Sequence, residues 1–116
     1  MNRLIVLAVA CLAVSAEAQN IPYWPGRITG DFWREAADSN RMSYVIGVID
    51  GFHYSAAFGA DENILEQLHS CTRTQPGTQL LAIVDQYHAD HPELWDAPMS
   101  RIINEALREF CRIGWA

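Results

Sequence analysis

Cys71 and Cys111, forty residues apart, constrain this chain more than any other two residues, provided nothing else competes for them. The competitor is Cys11, and it lies in a segment that reads as a secretory signal peptide. Met1-Asn2-Arg3 is a short positive start, Leu4 to Val14 is an apolar run, and Ala16-Glu17-Ala18 offers small residues at the −3 and −1 positions of a cleavage site. The apolar run of about a dozen residues is short against the roughly 20 needed to span a bilayer. The alternatives are an N-terminal anchor helix, or a lipidated Cys11 behind Ala8-Val9-Ala10. Cleavage after Ala18 leaves 98 of the 116 residues and removes Cys11. An even pair in an oxidising compartment reads as one disulfide, Cys71–Cys111; two buried thiols are the alternative. Closing that loop contributes about 4 kcal/mol on a chain-entropy basis, a large share of the roughly 5–15 kcal/mol typical of a domain.

Beyond the signal segment (1–18), residues 19–28 form a lead-in rich in proline and aromatics, including Trp24. Residues 29–112 read as one helical domain. Thr29 is placed to cap a short helix reaching about Asp38, and Ser39 to cap a long one from Asn40 to about Phe58. Met42, Val45, Ile49, Phe52 and Ala56 make one apolar face of that helix. Gly47, Gly51 and Ser55 make a small-residue stripe on it, for which close approach of a neighbouring helix is the expected reason. Gly59 ends the helix and Asp61 caps the next, with Ile64, Leu65, Leu68 and Cys71 at helical spacing. Thr72 to Gly77 is a polar turn. Thr78 is then expected to cap a helix carrying Leu80, Leu81, Val84 and Tyr87, which Pro92 stops. Asp96 is expected to cap a last helix whose buried face is Met99, Ile102, Ile103, Ala106, Leu107 and Phe110. The last two helices should pair as an αα-hairpin, with the disulfide fixing that hairpin against the glycine-bearing helix. No useful strand alternation occurs, so the expected fold is all-α: a small single-domain bundle of four to five helices with one disulfide.

Charge excludes whole classes of function. Eight basic residues, all arginine, stand against 14 acidic ones, for a net charge of −6. A nucleic-acid binder needs a basic face, and a polybasic membrane-surface module needs the same. Without lysine, P-loop and Schiff-base chemistry are unavailable. No serine sits in a G-x-S-x-G context, and the cysteines are committed, so the expectation is a non-enzyme without cofactor or metal. His88 and His91 lie three apart, but Pro92 breaks the helix beside them, and they read as a solvated pair. His53 and His69 read as isolated helix histidines. Asp50 either bonds a neighbouring helix end or sits on an exposed edge. Trp95, in the Asp90–Asp96 connection, is either a contact anchor for a partner protein or a lid on the end of the bundle.

Several segments, taken in order, resemble the Rap1a/Tai family, the immunity proteins paired with type VI secretion amidase toxins. They are Thr29-Gly30, Tyr44-Val45-Ile46-Gly47-Val48-Ile49-Asp50-Gly51, Gly77-Thr78-Gln79-Leu80, Ile83-Val84-Asp85-Gln86-Tyr87, His91-Pro92-Glu93 and the closing Phe110-Cys111. The resemblance covers residues 29–112. It departs from the family in lacking further cysteines near the Tyr44 segment, and in reading as helix over Gly59–Ser70. What it implies is an exported helical protein that blocks a peptidoglycan amidase in the periplasm, often as a homodimer. On that reading Asp90, Glu93 and Asp96 steer a basic partner and Trp95 anchors it, with Thr72–Gly77 as a second contact region. A different expectation is an acid-activated periplasmic chaperone of the HdeA type, whose net charge would turn positive at low pH and loosen the fold. Those chaperones are lysine-rich, and this chain is not.

Overall fold

The computed structural model describes residues 28–114; the expected signal segment with Cys11, Trp24 in the lead-in, and Trp115 lie outside the described residues. Among the described residues the architecture is five α-helices without strands: α1 (Gly30–Trp33), α2 (Asp38–Tyr54), α3 (Glu62–Thr72), α4 (Gly77–Asp90) and α5 (Met99–Phe110). Short 3₁₀ turns follow α2 at Ser55–Phe58 and α4 at Pro92–Leu94.

Two of the expected caps are in place. The Thr29 hydroxyl accepts from the Phe32 N–H, and Asp61 Oδ1 accepts from Asn63 and Ile64 at 2.9 and 3.1 Å. The other three are not. α2 starts at Asp38 with Ala37 extended before it, so Ser39 lies inside the first turn. Pro76, extended at ψ 153°, begins α4; its carbonyl accepts from Gln79 and Leu80, and Thr78 falls within the helix. α5 begins after Pro98, and its first N–H, on Met99, is taken by the Ile28 carbonyl at 2.6 Å, so Asp96 has no cap to make. α1 is also shorter than expected: it stops at Trp33, where the chain turns to start α2. Gly59, at φ 92°, closes the turn after α2 as expected; its N–H bonds to Ala56, and that of Ala60 reaches Ser55.

The core gathers around α5. Met99, Ile102, Ile103, Ala106 and Leu107 are all buried, whereas Phe110 is 43% exposed. Against them pack Leu80, Leu81 and Val84 of α4, Val45 and Ile49 of α2, Leu68 of α3, Trp33 of α1, and Ile113. α4 packs most extensively against α5, the expected hairpin, and next most against α2.

Cys71, one residue before the end of α3, is bonded to Cys111 just beyond α5, with Cα atoms 5.9 Å apart. The bond therefore holds α3 to the end of α5. The expected brace on α2 is not what it provides. The glycine stripe of α2 differs as well: a Cβ built on Gly47 or Gly51 meets nothing within 4 Å, so no helix approaches there. Gly47 and Gly51 are exposed while Ser55, the third member of the stripe, is half-buried, and Tyr54 and Phe58 are 77% and 92% exposed. No helix among the described residues is long and apolar enough to cross a membrane.

Candidate functional site

The connection between α4 and α5 carries most of the residues singled out from the sequence, and it is held from several sides. The Trp95 ring stacks on His88, with centroids 5.1 Å apart, and the Arg34 guanidinium lies 4.3 Å from its centroid. Its indole N–H donates to the His88 carbonyl at 2.8 Å. His88 is itself buried, and its Nε2–H donates to the Gly30 carbonyl at 2.8 Å, an assignment that follows because a carbonyl only accepts. The start of α1 is stitched to the same connection: Asp31 N–H donates to the Trp95 carbonyl at 2.8 Å, and Gly30 N–H to Ala97 at 3.2 Å. Trp95 thus folds over the bundle end between an imidazole and a guanidinium, while Asp90, Glu93 and Asp96 around it are exposed.

His88 and His91 are not the solvated pair expected. His91 stacks on Tyr87 with centroids 3.8 Å apart, and its Nδ1–H donates to the Tyr87 carbonyl at 2.7 Å. The two rings serve different partners because the helix ends between them: His88 lies within α4, whereas His91 is its cap, at φ −126° and ψ 62°, off the helical course that would set both on one face. Beside them, Tyr87 Oη donates to Glu105 at 3.3 Å, and Arg101 binds the other oxygen of that carboxylate at 2.9 Å. Burial, then the Glu105 charge, raises the Tyr87 phenol above its ordinary value.

A second polar cluster joins α1, α2 and α4. Asp85 Oδ1 accepts from the Trp33 indole at 2.9 Å and from Arg41 at 2.7 Å, and Arg41 also pairs with Asp38. Burial works against the Arg41 charge, but the bond to Asp38 and the charge of Asp85 outweigh it and hold the guanidinium above its usual value. Trp33 is 2% exposed, so this carboxylate satisfies a donor that would otherwise be stranded. The arrangement is structural: it sets α1 against α4.

The third cluster has no counterpart in the sequence reading. His53 Nε2 and His69 Nδ1 lie 3.1 Å apart, with rings nearly perpendicular at 76° and centroids 4.6 Å apart. They come from α2 and α3, sixteen residues apart, and no spacing rule connects them. The rings border a shallow depression of about 180 Å³ that Asp50, Arg73 and Leu80 also line. Asp50 is exposed, on the outer edge of α2. A larger cleft of about 630 Å³ lies between the α2–α3 corner and α5, bordered by Phe52, Ile64, Leu65, Pro98, Arg101 and Asn104.

Among the described residues, no three His, Cys, Asp or Glu side chains gather as a metal-holding group. Compared with known proteins, the chain matches no family model, no curated protein and no solved structure.

Proposed function

We propose that this chain is an exported, periplasmic binding protein of the immunity type, resembling the Rap1a/Tai family, which occludes the cleft of a peptidoglycan amidase. The observation that carries the reading is the α4–α5 connection: three exposed carboxylates, Asp90, Glu93 and Asp96, on a segment fixed by the Trp95 stack and by backbone bonds from α1. A connection held in one shape loses little freedom on docking. Its charge favours encounter with a basic rim around a partner's active site. Trp95 supports the segment from behind, so the carboxylates, with His91 and Pro92 between them, are the contact surface. The disulfide suits an oxidising compartment.

The test is inhibition and association kinetics with a cell-wall amidase recovered from the same periplasm. The mature chain should inhibit it. The triple variant Asp90→Asn, Glu93→Gln, Asp96→Asn should associate about tenfold more slowly at low salt, with dissociation and thermal stability little changed. An unchanged association rate, or an amidase left fully active, rejects the reading.

A further inference from the structure

His53 and His69 stand out because nothing in the proposed inhibitor role uses them. A simple hydrogen bond between the two imidazoles would put nitrogens about 2.7–3.2 Å apart. Two imidazoles bound to one zinc-sized cation, at about 2.0–2.1 Å each, place their nitrogens about 3.3 Å apart in a tetrahedral set and about 2.9 Å apart in a square one. The observed 3.1 Å is a hydrogen-bond distance that also lies within about 0.2 Å of both chelate values, so a cation could replace the shared hydrogen with little movement of the helices. His53 is half-buried and His69 exposed, so a cation can reach the pair from solvent.

We propose that His53 and His69 form a two-imidazole chelate for a borderline divalent cation of the zinc–copper class, clamping the end of α2 to the end of α3. Each histidine lies in the last turn of its helix, where unpaired carbonyl dipoles favour positive charge. Asp50, one turn before His53, and Arg73, one turn after His69, border the same depression and balance in charge. Solvent fills the remaining coordination positions, which makes the site open and exchangeable.

The proton balance is simple. In the metal-free pair one facing nitrogen carries the hydrogen and the other accepts it. Binding moves that hydrogen to the outward nitrogen of the same ring, so two neutral imidazoles release no net proton. The clamp would complement the disulfide: Cys71, two residues beyond His69, holds α3 to the end of α5, while the cation would hold it to α2.

The test uses the tag-free chain titrated calorimetrically with zinc chloride and, separately, copper(II) chloride. One equivalent of each should bind, copper more tightly, following the Irving–Williams order, and zinc should raise the melting temperature. His53→Gln and His69→Gln should each weaken zinc binding at least tenfold while keeping the helical circular dichroism of the parent. His91→Gln should leave binding unchanged. In the unmutated chain, zinc-induced shifts in the NMR spectrum should centre on the His53 and His69 imidazoles. Absence of binding, shifts centred elsewhere, binding retained in either variant, or equal loss in His91→Gln would overturn the proposal.

Discussion

A methyl group added at Gly30 would lie 2.7 Å from the Cα of Trp95 and 3.1 Å from its carbonyl oxygen, both backbone atoms that cannot swing aside. Gly30 is the point where α1 meets the α4–α5 connection, and only a residue without a side chain lets the two backbones exchange their hydrogen bonds. Gly30→Ala should therefore destabilise the fold by about 1–3 kcal/mol, the usual range for overpacking. Gly47 and Gly51 are the opposite case, with open space where the methyl would go. Alanine at either should stabilise by about 0.5–1 kcal/mol, because glycine inside a helix carries an entropic penalty without compensating contact. Urea unfolding of the three single variants checks both signs, and destabilisation at Gly47 or Gly51 would mean that the stripe is covered in solution. Spacing made those two glycines visible in the sequence, but it suggested a close helix contact. The glycine that does admit a close contact, Gly30, had only its place in the Thr29-Gly30 motif to mark it.

Between elements, the α4–α5 hairpin is joined on its outer side by Tyr87 and Glu105 as well as by its apolar faces. The phenol is raised by burial first and by Glu105 second. For a group whose folded value lies above its unfolded one, the stabilisation is fully present below the ordinary tyrosine value of about 10 and is lost as pH rises through the folded value. Stability measured against pH should thus fall more steeply above pH about 10 in the parent than in Tyr87→Phe, and in an ultraviolet titration Tyr87 should ionise above the ordinary tyrosine value. Parallel alkaline slopes in the two proteins would refute this. Helix existence and buried faces were readable because a period of 3.6 depends only on neighbours along the chain. Caps were readable where a side chain serves its own helix, as at Thr29 and Asp61. They were misread where a distant segment meets the need, as the Ile28 carbonyl does for Met99 at the head of α5.

At the scale of the described fold, α3 buries two residues, Leu68 and Thr72, as few as α1 and α2 and against five in α5, and it is the helix that the disulfide itself ties down. Opening the Cys71–Cys111 bond should cost about 4 kcal/mol. Amide exchange should rise first in α3, while α4 and α5, whose mutual packing does not depend on the bond, keep their protection. Uniform loss of protection across all five helices on reduction would show instead that the disulfide holds the entire fold. The amino-acid sequence alone determined the all-α class, most of the apolar faces of α2 to α5 and the pairing of Cys71 with Cys111. It also marked the acidic connection around Trp95 as the surface to examine. Tertiary structure alone decided that His53 meets His69, that His88 is buried under Trp95, that Asp85 serves both Trp33 and Arg41, and that the α2 glycines face open space. The division follows from range: periodicity, capping and charge act over one or two turns, whereas these meetings depend on how each helix is rotated and set against the next, which packing of the whole core determines.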